Sequence, residues 1–364
     1  MKYSLRDYDE QTYDRVVRIG GRILDFFLVN SISISGQEKL KEISRENSVI
    51  ITANHKSRID FLLLPIIARN LGLEALCIAA GKDVLDVPIR EQMIAMRAFP
   101  VPRTKQEITV SSIKELNYNI ETILSNKQHL LFFPEGGRSY DGIAREIQAG
   151  LIEIIASQSL KNKHSPYFVP TLMTYDRVVE DEIFSSLDRT KSSESFKADV
   201  NILLKTMLLH RKINADIKFG EPYQIFWGEK NKPEERNKPR VPKELPGLLS
   251  EHINSEWKKM LMPTPTSVVC HSIECYLKDY PEAPFLKRDL NRYLNQSVAD
   301  LNAAGKKISF LRDSYGIADI CEEGLKHLIQ PFRKIISRRG NFYFIENRSV
   351  IQYYARQFRE IAKK

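Results

Sequence analysis

Short apolar, β-branched segments alternate with helical patterns from Ser31 to about Pro222. Strands that alternate with helices are typical of α/β proteins, which bind ligands where their strands end. We therefore predict an α/β fold with a mixed sheet covered by helices. The predicted strands are Ser48–Ala53, Leu76–Ala79, His129–Phe133, Tyr167–Thr174 and Ala215–Phe219.

The most informative polar motif, Asn54–Asp60, follows the first of these strands directly. An imidazole titrates near neutral pH, and a carboxylate that fixes its tautomer lets it deprotonate an alcohol. Residues five apart do not share a helical face, so we expect His55 before a helix and Asp60 in or beside its first turn. The spacing predicts Ser57 as the N-cap, although Pro65 would also suit a helix that begins just before it. A histidine and an aspartate at this spacing also occur together by chance.

Three further motifs follow strand-like segments. Phe133–Ser139 contains paired glycines, which let a backbone approach a ligand closely, and Arg138, which suits phosphate or carboxylate. Phe168–Glu180 ends in a charged and aromatic cluster, and Ala98–Arg103 brings another arginine to the end of a strand. Each motif alone is equally compatible with an exposed turn and a solvated arginine.

The order and spacing of the four motifs resemble those of glycerolipid acyltransferases over about residues 30–230. Glu135–Ser139 and Tyr175–Glu180 are similar to the glycerol-3-phosphate and dihydroxyacetone-phosphate acyltransferase branch. Two features depart from that branch. The segment Phe99–Arg103 replaces an aromatic, doubly arginine-containing stretch, and Asn54 is frequent in the lysophosphatidate branch.

The resemblance implies transfer of a fatty acyl group from acyl-CoA or acyl-ACP to the sn-1 hydroxyl of glycerol 3-phosphate. His55 would be the general base and Asp60 would orient it; the alcohol is the nucleophile, so neither a metal nor another cofactor is needed. Dihydroxyacetone phosphate and lysophosphatidate are the alternative acceptors. The residues implied to bind substrate are Arg103, Glu135, Gly136, Gly137, Arg138 and Ser139, and the further candidates are Asn54, Lys56, Tyr175 and Arg177.

Two readings from other classes remain open. A hydrolase could use Ser57 or Ser139 with His55 and Asp60, but the chain has no Gly-x-Ser-x-Gly motif. A non-catalytic phospholipid-binding protein would use the arginines without needing the His/Asp pair.

Composition indicates an ordinary globular protein, with 42% hydrophobic and 28% charged residues among 364. No stretch approaches the roughly 20 apolar residues that span a bilayer, and residues 1–18 are too charged for a signal peptide. The four cysteines have neither a paired nor a metal-binding spacing. We therefore predict a cytoplasmic protein without structural zinc.

The net charge of +9 is concentrated toward the C-terminus, where residues 326–364 contain ten Lys/Arg and two acids. Such a surface attracts anionic lipid by about 1 kcal/mol per basic residue, and an acidic acyl carrier protein would suit it equally. A solvated helical surface is an equally good interpretation. Nucleic acid is not expected as a partner, because no zinc finger or RRM signature is present. We predict peripheral contact with the inner face of the cell membrane.

Four regions are predicted. Residues 1–30 form an amphipathic helical segment that either covers the core, which we favour, or lies on a membrane. Residues 31–227 form the acyltransferase domain, 228–246 a linker or exposed loop, and 247–364 a mostly helical, basic region.

Overall fold

The computed structural model describes residues 10–81, 90–186, 212–225, 242–311, 314–330 and 333–362. Most of the predicted linker, residues 228–241, lies outside the described residues. Within the described part, helices cover both faces of a mixed sheet, and a mostly helical region follows it, which confirms the predicted fold class.

The sheet places the strands in the order β1-β7-β6-β2-β5-β3-β4, with β8 paired to β6. Strand β7 runs antiparallel to β6 and parallel to β1, whereas β2 to β6 are mutually parallel. The carboxyl ends of β2, β5 and β6 therefore lie side by side. The strands are β1 (Val29–Ser35), β2 (Val49–Ala53), β3 (Cys77–Gly81), β4 (Ala98–Val101), β5 (Leu130–Phe132), β6 (Tyr167–Tyr175), β7 (Ile213–Phe219) and β8 (Tyr223–Gln224).

Helices α1 and α3 pack on one face of the sheet, and α5, α6 and α8 pack on the other. Strand β2 serves both faces: Val49 and Ile51 join the first core and Ile50 the second, because alternate side chains point to opposite faces. The helices of this part are α1 (Glu10–Ile23), α2 (Gln37–Ser44), α3 (Asp60–Asn70), α4 (Arg90–Ala95), α5 (Val110–Ser125), α6 (Gly150–Asn162), α7 (Asp181–Ser186) and α8 (Leu245–Met260).

Within the predicted N-terminal helical segment, residues 1–30, the described α-helix α1 begins at Glu10. It ends at Ile23, a π-helical turn covers Leu24–Leu28, and β1 begins at Val29. The helical segment stops before Val29 because β1 pairs with β7 from that residue onward. The alternating Ile and Ser residues of β1 suit a strand better than a helix. Tyr13 and Val17 are buried in the core, so one side of α1 covers the sheet domain.

His55 precedes α3 and Asp60 lies in its first turn, as predicted, but the start of the helix differs from the prediction in two details. The helix begins at Asp60 and continues through Pro65, so it does not begin just before the proline. Ser57 is not the N-cap: Ile59 occupies that position, and the Ser57 hydroxyl donates to the Glu180 carboxylate at 2.7 Å.

The region after α8 has a core of its own, built from α9 (Pro265–Asp279), α10 (Lys287–Ala303), α11 (Ile317–Lys326), the hairpin β9 (Ile336–Arg339) and β10 (Phe342–Ile345), and α12 (Arg348–Ala362). Its basic residues do not form one uniform face, since Arg333 is buried and Lys326 and Arg359 contact glutamates. No described helix has both the length and the apolar character needed to cross a membrane.

Candidate active site

The loops that follow β2, β5 and β6 meet at the carboxyl edge of the sheet. The main-chain N–H of Ser139 donates to the His55 carbonyl at 3.1 Å, and the His55 N–H donates to the Glu135 carboxylate at 2.8 Å. The Ser57 hydroxyl donates to Glu180 at 2.7 Å. Three motifs that are distant in the sequence are thus joined by direct hydrogen bonds.

A histidine–aspartate pair lies at the centre of this site. His55 Nδ1 is 2.8 Å from Asp60 Oδ2, and Asp60 is fully buried. The same oxygen accepts the main-chain N–H groups of Lys56 at 2.7 Å and Ser57 at 2.9 Å. The other oxygen, Oδ1, accepts the Tyr175 hydroxyl at 2.5 Å. These donors fix the carboxylate in one orientation toward the imidazole.

The His55 ring is held on a second side by Phe133, which stacks on it with ring centroids 4.3 Å apart. Its side chain is 14% exposed, whereas that of Asp60 is not exposed at all. With Nδ1–H donating to the carboxylate, Nε2 has the lone pair that can accept a proton. The arrangement can therefore act as an oriented general base.

Burial is the largest effect on the pKa of His55 and lowers it below its ordinary value. The hydrogen bond and the charge of Asp60 act in the opposite direction, while Arg138 and Arg103 lower the pKa further. The ring is therefore neutral, and able to accept a proton, at neutral pH.

Arg138 supplies a buried positive charge beside this pair. It is 5% exposed, and its guanidinium lies over the rings of Tyr140 and Phe184, 5.4 and 5.0 Å from their centroids. Arg138 Nη1 is 3.7 Å from a carboxylate oxygen of Glu180. A buried guanidinium is suited to an anionic group such as phosphate.

Glu180 is a site residue for which the sequence alone predicted no role. Besides Ser57, it accepts the main-chain N–H of Arg58 at 2.9 Å. Burial raises the pKa of Glu180, and Arg138 lowers it. Its position at the end of the Tyr175–Glu180 motif was the only sequence signal.

The Glu-Gly-Gly-Arg-Ser segment forms the wall next to His55. The two oxygens of Glu135 accept the main-chain N–H groups of His55 and Arg145, both at 2.8 Å, and burial raises the pKa of Glu135. Gly136 has φ +67°, in the left-handed region that favours glycine. Gly137 lies between it and Arg138, and Ser139 is fully buried.

Two other candidates make structural contacts near the site. The Asn54 side chain donates to the Met173 carbonyl at 3.0 Å and accepts the Met173 N–H at 2.6 Å, which ties the end of β2 to β6. Lys56 Nζ donates to the Gly142 carbonyl at 3.3 Å. Both side chains thus have protein partners.

Arg103 and Arg177 occupy different environments. Arg103 is exposed, and its effect on the pKa of His55 puts its charge within electrostatic reach of the site. Arg177 is 2% exposed, and burial and Arg333 lower its pKa, while Asp181 and Asp176 raise it. Arg177 therefore belongs to a charged cluster at the junction with the C-terminal region.

That junction also binds the segment which follows Tyr175. Asp181 forms an ion pair with Arg333 and accepts the Tyr354 hydroxyl at 2.5 Å. Asp176 lies 3.2 Å from His327 Nε2. The sequence contained no local signal for these pairs.

Among the described residues, no group of three or more His, Cys, Asp or Glu side chains is arranged to hold a metal ion.

Comparisons with known proteins bear on the same segment. A sequence model of the acyltransferase family matches residues 31–174. The chain is 27% identical over 259 residues to a glycerol-3-phosphate acyltransferase of Pseudomonas syringae pv. tomato, covering 69% of this chain and 30% of that protein. It is 28% identical over 200 residues to the dihydroxyacetone phosphate acyltransferase of Bos taurus, covering 53% of this chain and 29% of that protein. The chain thus spans about 30% of the length of these curated relatives.

Among solved structures, the 1-acyl-sn-glycerophosphate acyltransferase of Thermotoga maritima aligns with a TM-score of 0.40 and 15% identity. The alignment covers 68% of this chain and 79% of that one.

Proposed function

Residues 31–174 belong to the acyltransferase family, and on that premise we propose that the protein transfers a fatty acyl group from acyl-CoA or acyl-ACP to the sn-1 hydroxyl of glycerol 3-phosphate. The observation that carries the proposal is the contact between His55 and the buried Asp60, next to the buried cation of Arg138. A general base and an anion site side by side suit an acceptor with both a hydroxyl and a phosphate. The names of the relatives support the same acceptor class.

In the proposed reaction, His55 Nε2 takes the proton of the acceptor hydroxyl as its oxygen attacks the thioester carbonyl. Asp60 stabilises the imidazolium that forms. The carbon–sulfur bond then breaks, and the proton passes from His55 to the leaving thiolate, giving lysophosphatidate and the free thiol. A positioned base contributes roughly 10²–10⁴ in rate, and holding two substrates in register can contribute more.

Arg138 would bind the acceptor phosphate, with Arg103 as a second cation at the rim. Ser139, Gly136 and Gly137 would line the glycerol site, and Glu135 would hold the backbone of that wall. In this assignment Ser57 is not a nucleophile, since its hydroxyl donates to Glu180.

We also propose that the protein binds an anionic membrane surface from the cytoplasmic side, through the outward face of α1 and the following turn. Ile19, Ile23 and Phe26 are 51%, 39% and 64% exposed. With Arg22 and Lys212 they line a surface groove of about 680 Å³. Apolar side chains flanked by cations suit the interface of a bilayer with anionic lipid.

The membrane proposal is tested by co-sedimentation with vesicles of phosphatidylcholine, with and without about 30% phosphatidylserine. We expect binding to the anionic vesicles that Phe26→Asp abolishes and Leu248→Asp preserves, because Leu248, on α8, is also a large apolar residue that is at least half exposed but lies outside this face. Equal binding of both variants would contradict the assignment of this face.

Acyl transfer is the direct test of the enzyme. Palmitoyl-CoA and palmitoyl-ACP are offered with glycerol 3-phosphate, dihydroxyacetone phosphate and lysophosphatidate as competing acceptors. Lysophosphatidate formed from glycerol 3-phosphate supports the proposal. Product from another acceptor alone reassigns the substrate, thioester hydrolysis without an acceptor indicates a hydrolase, and no turnover indicates a binding protein.

Variants separate the base from the anion site. His55→Ala should abolish transfer while His164→Ala, at a half-buried histidine after α6, should not. Arg138→Ala should raise the acceptor KM by roughly 10- to 100-fold, the value of a charge-assisted hydrogen bond. Arg97→Ala, which removes an equally buried arginine elsewhere, should leave that KM unchanged.

A further inference from the structure

The segment Tyr175–Glu180, here called the positioning arm, contacts the turn around His55 at both of its ends. At one end the Tyr175 hydroxyl donates to Asp60 Oδ1 at 2.5 Å. At the other end Glu180 accepts the Ser57 hydroxyl and the Arg58 N–H. The turn that presents the histidine is thus held from outside by a segment more than 110 residues away in the chain.

We propose that Tyr175 is a positioning residue which fixes Asp60 and thereby sets the basicity of His55. The inference rests on the proposed function, since it assumes that His55 is the general base. It assigns Tyr175 a role toward another side chain rather than toward substrate.

The geometry leaves Tyr175 little access to a substrate. Its side chain is 4% exposed, and its hydroxyl is already engaged by Asp60. Burial, and then the charge of Asp60, raise the pKa of Tyr175 well above its ordinary value, so the hydroxyl remains a donor throughout the working pH range.

The consequence for His55 follows from how the carboxylate shares its charge. A hydrogen bond to Oδ1 stabilises the negative charge of Asp60. The Asp60 carboxylate therefore stabilises the protonated form of His55 less strongly. Without that donor the carboxylate would stabilise the imidazolium more strongly, and the pKa of His55 would rise. The other groups acting on His55, Arg138 and Arg103, would be unchanged.

The arm is itself held by the C-terminal region. The Thr266 hydroxyl donates to the Asp176 carbonyl at 2.9 Å, and the Val178 N–H donates to the Tyr354 hydroxyl at 3.0 Å. These bonds fix the backbone immediately after Tyr175. The position of the Tyr175 side chain next to Asp60 is therefore restrained as well.

The test compares Tyr175→Phe with Tyr276→Phe in the full chain. Tyr276 is a matched control, because it is a buried tyrosine whose hydroxyl donates to the Pro284 carbonyl in the C-terminal region. Titration of the His55 imidazole by NMR needs no turnover, so it tests the inference even if no acyl transfer is found. Absence of transfer by the wild-type chain would count against the proposed function alone.

In Tyr175→Phe we expect the His55 midpoint, and the acid limb of kcat against pH, to move upward by about 0.5 pH unit, part of the value of one charge-assisted hydrogen bond. The acceptor KM should stay within about twofold, because the residues proposed to bind the acceptor are unchanged in this variant. Tyr276→Phe should move neither quantity. A midpoint that stays in place or falls would overturn the proposal, as would a higher acceptor KM with an unchanged midpoint, which would make Tyr175 a substrate contact.

Discussion

Replacing Asp60 by asparagine removes one charge from the candidate site while leaving its hydrogen bonds nearly complete. Oδ2 accepts from His55, Lys56 and Ser57, whereas Oδ1 accepts only from Tyr175 among the bonds described. The single carbonyl oxygen of asparagine would therefore take the Oδ2 position. Its amide would face the Tyr175 hydroxyl, which can rotate to accept a hydrogen bond. We expect the fold to survive.

The effect on rate follows from the charges around His55. Asp60 contributes both effects that raise the pKa of His55, and burial, Arg138 and Arg103 lower it. Without the carboxylate charge, the base is weaker and the imidazolium has no counter-ion in the transition state. We expect kcat to fall by about 10²–10⁴, with little change in the acceptor KM, because Arg138 is untouched.

Initial rates of acyl transfer over a range of pH and acceptor concentration measure both quantities. Asp216→Asn is the matched control, since Asp216 is a largely buried aspartate of β7 that contacts Lys218. Thermal unfolding of both variants checks the fold. A well-folded Asp60→Asn enzyme with a kcat within about tenfold of wild type would refute the general-base argument.

Three other predictions concern neighbouring groups. Ser57→Ala should lower kcat by no more than about tenfold, because the losses are the hydrogen bond to Glu180 and the long one, 3.4 Å, from the Ile59 N–H, whereas loss of a nucleophile would cost at least about 10³. Arg333→Met should lower the free energy of unfolding in urea by about 3–5 kcal/mol, since it leaves Asp181 buried without its cation, while the exposed Arg339→Met should change it by less than about 0.5 kcal/mol. Burial lowers the pKa of His129 to about 4, so the unfolded chain binds this proton first as the pH falls below 6.5. Stability should fall by up to about 3 kcal/mol between pH 6.5 and 4, and His129→Asn should reduce that dependence in urea unfolding at a series of pH values.

The strands could be predicted because their signal is local. In β2, apolar β-branched residues occupy successive positions, and burial on both faces is what such a run requires. The contact between His55 and Asp60 was predictable for the same reason, because both residues belong to one short turn directly after β2. The motifs at the ends of β5 and β6 could be expected near them once an α/β fold was inferred, because such folds bind ligands where their strands end.

The errors arose where distant residues compete with local patterns. Ser57 suits an N-cap by sequence, but Glu180, 123 residues away, takes its hydroxyl. Arg333 was counted with a basic surface, yet Asp181 and Glu182 bind it at a buried junction. Neither acceptor can be identified from the residues around the donor.

These distant contacts connect the C-terminal region to the chemistry of the sheet edge. Asp176 lies within the positioning arm and contacts His327, and Asp181 directly follows the arm and forms an ion pair with Arg333. Losing Arg333 would leave Asp181 buried without its cation at a cost of several kcal/mol, which favours a shift of the residues around it. Because Tyr175 directly precedes Asp176 and bonds to Asp60, that movement would reach the carboxylate that orients His55. The C-terminal region therefore supports the site through the arm although none of its residues contacts the histidine–aspartate pair in a described hydrogen bond.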